Sequence, residues 1–394
     1  MEFAAVAAEA ESARAAESAA RAERWPSLTA AASYTQFDNA PQLDIVAAGM
    51  ALQAPIFPGQ SYASGGVQLK LPLYTSGRLS AQIGAAHKVA MGAADSEAAA
   101  RSGLRMAIAT AYVNVLRSQR LLQAAQSSVT SLKAHASDVK LMVERELVTR
   151  SDLLAAQVAL ANAEQLRVQA DNGVALAYAG YNRLVGEPSE RTPELDAVLP
   201  IERALSEQPL DQLIQSALNS RSEISALGAQ ADALSLQSDA QRALLLPQLA
   251  LSGGYTYVEN EILDRQSFAA VGIGVSWNLF DGGVVRNRSE SLRRASRAAQ
   301  HRLDDLRSQV QLEVRQAWLD VRAAQARIAA LREARAQAEE NLRMSRELYG
   351  GELGTNTQVL DAVTLQITAT SNHDNAVLDE ALSLLALERA VGRL

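Results

Sequence analysis

The side chains that usually carry chemistry are few in this chain, and they do not gather. His87, His135, His301 and His373 lie far apart in sequence with no paired ligands, so neither a metal centre nor a general base is read from them. The chain has no cysteine, which excludes a disulfide framework, a Cys-based metal site and a lipid-modified N-terminal Cys. Gly272-Ile273-Gly274 lacks the third glycine and the following helix of a dinucleotide loop, and reads as glycine on a strand face. Asn287-Arg288-Ser289 matches a glycosylation triplet inside a helical stretch, a chance match. No nucleophile, base and acid come together, so the expectation is a non-enzyme with no catalytic residue, cofactor or metal.

What the spacing does supply is helix initiation. Thr149 is followed three residues later by Asp152, and Thr355 by Gln358. Each pair is a capping box, in which the threonine hydroxyl and the longer side chain satisfy each other's backbone N–H groups.

The two boxes hold the same place in a long internal repeat. Offset by 206 positions, Leu73-Tyr74 falls on Leu279-Phe280, Tyr112 on Trp318, Glu146-Leu147 on Glu352-Leu353, and Val185-Gly186 on Val391-Gly392, with no gap. The period far exceeds the ~20–50 residues of solenoids and propellers, so it reads as a duplicated half-protein. The halves are residues 1–186 and 210–394. Residues 187–209 form an irregular connector containing Pro188, Pro193, Pro200 and Pro209. Trp25-Pro26 corresponds to Leu246-Pro247, which sets Met1 opposite Ser222. The chain is therefore expected to start partway into its first helix, through truncation or removal of a signal.

Aromatics make up only 4% of the chain and alanine dominates, which suits helices packed closely side by side. The formal net charge of −7, with Lys and Arg dispersed, argues against a nucleic-acid partner. The most apolar run, residues 45–57, is too short for a spanning helix and contains Pro55. Residues 1–24 lack the apolar segment of a secretory signal. Absence of cysteine fits an oxidising envelope compartment.

Both halves switch between two periodicities. Leu28, Ala30, Ala32 and Tyr34 alternate with polar residues over 28–37, and a Pro- and Gly-rich loop is expected over 38–64. Val67, Leu69, Leu71 and Leu73 then alternate with Gln68 and Lys70. In the second half, Leu249, Leu251, Tyr255 and Tyr257 form one apolar row, and Val271, Ile273, Val275, Trp277 and Leu279 another. Strands of about ten residues with one apolar face match a tilted membrane-spanning β-strand, and by themselves equally match an ordinary half-buried hairpin packed on helices. Beyond them a 4,3 apolar seam runs from Leu104 through Ile108, Ala111 and Val115 to Val139 and Val143. It recurs from Val310 to Leu331, slips at Arg335, and resumes at Ala338 and Leu342. A helix over 78–144 would extend roughly 100 Å at 1.5 Å per residue. The fold class is thus mainly α with a β-barrel portion: long coiled-coil hairpins plus two β-hairpins per chain. Four strands cannot close a barrel in lipid, whereas three copies would bring roughly 12.

Together these features resemble the TolC-type outer membrane efflux protein family nearly end to end. The resemblance is carried by the repeat, by Trp25-Pro26-Ser27-Leu28 and Leu246-Pro247-Gln248-Leu249, by the turn Asn278-Leu279-Phe280-Asp281-Gly282-Gly283, and by the tip from Gly351-Glu352-Leu353-Gly354 to Leu360-Asp361-Ala362. It implies a homotrimer in outer-membrane lipid, its barrel joined to a periplasmic α-helical tunnel. Such a trimer is the passive exit duct of a tripartite efflux pump or type I secretion system, for small molecules or polypeptides. Its implied partners are a periplasmic adaptor (membrane fusion) protein and, through it, an inner-membrane transporter. The resemblance sets Val148, Thr149, Leu353, Gly354 and Thr355 at the adaptor-docking tips. Asp152 falls near the periplasmic constriction, where three copies make a cation-attracting ring, and Tyr349 and Asp361 line or close that aperture. Three departures imply a closing network built differently: Arg145 stands where the second half has Gly351, Gln358 fills a position often acidic, and Gly354 has no side chain to bridge. The competing class, a soluble scaffolding coiled coil, explains the heptads and the alanine. It leaves the repeated amphipathic strands without a reason.

Overall fold

A computed structural model describes residues 2–47, 50–57, 59–196 and 204–394. The chain divides into two compact units, Met1–Glu97 with Ser225–Asp304, and Ala98–Ile224 with Asp305–Leu394, so each unit draws on both halves of the sequence.

In the first unit, helix α1 (Glu2–Ala22) ends just before Pro26, which can neither donate to nor continue the helix. Strands β1 (Ser27–Gln36), β4 (Ser61–Tyr74), β5 (Gln248–Val258) and β6 (Ser267–Ser276) then form an antiparallel sheet in the order β1-β4-β5-β6. Residues opposite one another share a face. Leu28 therefore sits with Leu69, Val67 with Tyr255, and Leu251 with Ile273 on an apolar face. Thr29, Gln68 and Gly254 lie across the strands on the other face, as do Ser27, Lys70, Ser252 and Gly272. A cavity of about 640 Å³ lies over the sheet, with Thr29, Ser33, Ser64, Gln68, Ser252 and Thr256 among its lining. Gly66 is required where β4 meets β5. A Cβ there would lie 2.7 Å from the Tyr255 carbonyl oxygen, so only glycine lets the two backbones come this close.

The loop expected over 38–64 is largely strand. β2 (Gln42–Ala47) and β3 (Met50–Pro55) pair antiparallel as a separate two-stranded sheet, and β4 begins at Ser61 rather than near Val67. Pro55 is tolerated because it closes an edge strand, where no ladder donor is needed. Phe57 stacks on Phe37 at 5.5 Å and on Tyr62 at 4.1 Å, joining the segments around this hairpin. β6 stops at Ser276, which leaves Trp277 and Leu279 beyond the strand.

The rest of the unit is helix on helix. α5 (Ser222–Arg242) packs against the opening turns of α2 (Arg78–Glu144) and α6 (Val284–Gly350) through small residues, with Ala85, Ala90, Ala231 and Ala299 all buried. Such spacing brings polar side chains within reach of the neighbouring backbone. Ser296 Oγ donates to the Ala231 carbonyl at 2.9 Å, and Ser238 Oγ to that of Ser289 at 2.8 Å. Here the alanine content has its structural cause.

The second unit holds the remainder of α2 and α6, each 67 residues long, with the returning helices α3 (Arg150–Val185) and α7 (Asn356–Val391), each 36 residues, and the short α4 (Leu210–Ser220). The expected seams face inward, buried at Val115, Leu132, Ala136 and Val139 on α2 and at Val310, Val314, Val321 and Ala338 on α6, and half-buried at Leu104, Ile108, Ala111, Val143, Leu331 and Leu342. Leu132, Ala163 and Val363 form one core cluster, and Val113, Leu116 and Leu378 another. At the slip, α6 stays unbroken and Arg335 turns to Glu339 at 2.9 Å. α3 ends at Gly186, after which buried Asn182 donates through Nδ2 to the carbonyls of Pro188 (3.0 Å) and Arg191 (2.7 Å). This pins the start of the connector. Residues 197–203 of the expected connector lie outside the described residues.

Candidate functional site at the capped helix tips

The tips are built from two local devices used twice. At the end of α2 the amide of Leu147 donates to the Met142 carbonyl at 2.9 Å and that of Glu146 to Val143 at 3.0 Å. At the end of α6, Leu353 donates to Leu348 at 2.8 Å and Glu352 to Tyr349 at 3.1 Å. Both are Schellman closures, which need a left-handed residue at the turn. Glutamate fills that place each time, with φ of 63° at Glu146 and 62° at Glu352.

The capping boxes follow. Thr149 Oγ1 accepts from the Asp152 amide at 3.2 Å, while Asp152 Oδ2 accepts from the Thr149 amide at 3.1 Å and its hydroxyl at 2.7 Å. Thr355 and Gln358 repeat the exchange at 3.3 and 2.9 Å. A carboxylate here also complements the positive end of α3.

Behind the boxes lies a buried polar cluster with one residue from each of the four helices. His135 of α2 donates through Nε2 to Asn356 Oδ1 of α7 at 2.7 Å, and Asn356 Nδ2 donates to the Asp152 carbonyl of α3 at 3.0 Å. The Tyr349 ring of α6 lies 5.3 Å from the His135 ring, packed among Ala136, Val139, Ala156 and Val359. Its hydroxyl is buried with no partner among the described residues. Burial, and then the charge of Asp152, push this phenol above its usual range. Tyr349 borders a cleft of about 820 Å³ that is also lined by Asp138, Arg145 and Arg346.

Of the residues the sequence nominates, the structure brings Asp152 and Tyr349 together in this cluster, and Val148 packs half-buried against it. Thr149 and Thr355 are exposed caps, Gly354 is half-buried, and Leu353 projects with 82% of its surface exposed. Asp361 is exposed on α7 and makes no hydrogen bond or ion pair among the described residues. Sequence reasoning missed the His135–Asn356 pair. A usable sign was there, since the repeat offset sets the small amide Asn356 against Arg150, directly after the capping threonine in each half. Among the described residues, no group of three His, Asp or Glu is arranged to hold a metal ion. No described helix is long and apolar enough to cross a membrane.

Long paired helices ending in capped tips, joined in one chain to an amphipathic four-stranded sheet, define the subunit of an outer-membrane duct with a helical tunnel and a β-barrel. The chain belongs to the outer membrane efflux protein family, whose model matches residues 1–187 and 213–393. It is 25% identical over 383 residues to outer membrane protein TolC of Vibrio cholerae serotype O1, covering 93% of this chain and 81% of that protein. It is 23% identical over 283 residues to the cobalt-zinc-cadmium resistance protein CzcC of Cupriavidus metallidurans, covering 69% of this chain and 66% of that protein. In fold it is similar to outer membrane protein VceC from Vibrio cholerae, with a TM-score of 0.83 at 21% identity over 99% of this chain and 92% of that one.

Proposed function

We propose that three copies of this chain close one barrel of about 12 strands in the outer membrane and continue as a helical tunnel. This assembly is a passive exit duct for efflux or secretion and carries out no catalytic step. The observation that carries the reading is the sheet. β1 and β6 are both unpaired edges, which lipid does not tolerate. β6 also presents Val271, Ile273 and Val275 at 67–81% exposure. Two helix flanks support several copies in the same way: Leu154, Val158 and Leu176 on α3, and Leu312 and Leu319 on α6, are all more than half exposed. The halves 1–186 and 210–394, joined by 187–209, are read as duplicated repeats. The equal lengths of α2 and α6, and of α3 and α7, support that reading.

In this duct the tips face the periplasm. Asp152, Tyr349 and Asp361 line or close the aperture, and the Asp152 ring favours cations. Val148, Thr149, Leu353, Gly354 and Thr355 meet a periplasmic adaptor that couples the duct to an inner-membrane transporter. Light scattering on detergent-purified protein tests the assembly. The expected protein mass is about three times the 42.0 kDa chain. A detergent-independent monomer or dimer would refute it.

A further inference from the structure

Away from the tips, and still within the second unit, α2, the α4–α5 break and the end of α7 surround a cavity of about 230 Å³. Its charge sets it apart. Arg101 and Arg105 of α2, Arg221 at the break and Arg389 of α7 face it, with Glu223 as the one acidic side chain of its lining. Four arginines set against Glu223 and against Glu313, which Arg221 also engages, leave the surround formally +2 in a chain whose net charge is −7.

The seat is rigid. Gly392 lies so close to the break that a Cβ would sit 2.7 Å from Ser220 Oγ, and that hydroxyl donates to the Val391 carbonyl at 2.7 Å. Arg221 is buried and committed. It pairs with Glu223 at 3.1 Å and with Glu313. Arg105 and Arg389 are exposed at the cavity and their side chains make no hydrogen bond or ion pair among the described residues, though the charge of Arg389 is felt at Glu223. Two guanidiniums with no hydrogen-bonded partner thus face one small space, beside the hydroxyls of Ser102 and Ser222.

We propose that this cavity binds a tetrahedral oxyanion of the phosphate class, free or carried as a monoester. A planar guanidinium fork matches phosphate oxygens two at a time. A formal charge of +2 around the cavity suits a dianion better than a monovalent ion.

The test is calorimetric titration and thermal melting of the detergent-purified oligomer with inorganic phosphate, against sodium chloride at matched ionic strength. The expected result is saturable heat and a saturable rise in melting temperature, seen with phosphate and not with chloride. Arg105→Gln and Arg389→Gln break no side-chain hydrogen bond or ion pair among the described residues, so both variants stay folded. Each weakens phosphate binding by about tenfold or more, while Arg332→Gln on the exposed face of α6 does not. Glycerol 3-phosphate is the second probe. Tighter binding of it assigns a monoester as the natural ligand, and tighter binding of inorganic phosphate assigns the free ion. Phosphate indistinguishable from chloride, or binding retained in the double variant, overturns the proposal.

Discussion

Replacing Asn356 with alanine removes a buried side chain that joins α2, α3 and α7 at the tip. Two hydrogen bonds are lost, at 2.7 Å to His135 and 3.0 Å to the Asp152 carbonyl. Each is worth about 0.5–1.5 kcal/mol net, and a buried partner left unsatisfied costs about 1–3 kcal/mol more. The Asp152 carbonyl keeps its place in the α3 ladder, so the larger cost falls on the His135 ring, which is only 6% exposed. The expected loss is about 2–4 kcal/mol. It should be local, confined to the first turns of α7 and α3. Native-state hydrogen exchange on those amides reads it directly. His135→Ala and the double variant complete a cycle, whose expected coupling is about 1–2 kcal/mol. A loss below about 0.5 kcal/mol with no coupling would refute the claim that this pair holds the tip together.

Three further outcomes follow from single positions. Gly66→Ala forces a Cβ against main-chain atoms of β5 and should destabilise the sheet by about 1–3 kcal/mol, whereas Gly272→Ala, with open space around it, should be neutral; thermal melting of the oligomer compares them. Asp281 is held below the usual aspartate range by the Val285 and Gly283 amides, both at 2.8 Å. Its contribution is therefore full above the unfolded pKa of about 3.9 and fades as pH falls through the lower folded value. Exchange in the first turn of α6 should accelerate on acidification, and Asp281→Asn should abolish that dependence. Glu352→Gly should stabilise the α6 tip by about 1 kcal/mol by relieving a left-handed glutamate, measured by exchange at 348–353, while Glu352→Val should weaken it.

The long helices were legible because a 4,3 seam sustained over many turns is the pattern of helices packed side by side. Val115, Leu132 and Val139 are buried as the spacing requires. The strands were legible from strict alternation, as in Val67, Leu69 and Leu71. The β2–β3 hairpin was not, because Gly and Pro at its margins mimic loop chemistry and its pairing is set by register rather than by pattern. The break at Arg221 was equally hidden. No glycine or proline marks it; the chain takes an extended residue there to bury a guanidinium between two glutamates. At the tip, the capping boxes could be read because they are local. The His135–Asn356 bond spans 221 positions and depends on four helices meeting, which no local pattern encodes.

The central claim is that this chain builds a water-filled duct with an acidic aperture. Single-channel conductance of the detergent-purified oligomer in planar bilayers tests it most directly, comparing wild type with Asp152→Asn. Asparagine keeps an oxygen to accept from Thr149, so the variant removes charge and leaves the cap. The expected result is stable, cation-preferring channels whose cation preference falls in Asp152→Asn while the channel itself persists. Folded oligomer that never opens a channel would contradict the account.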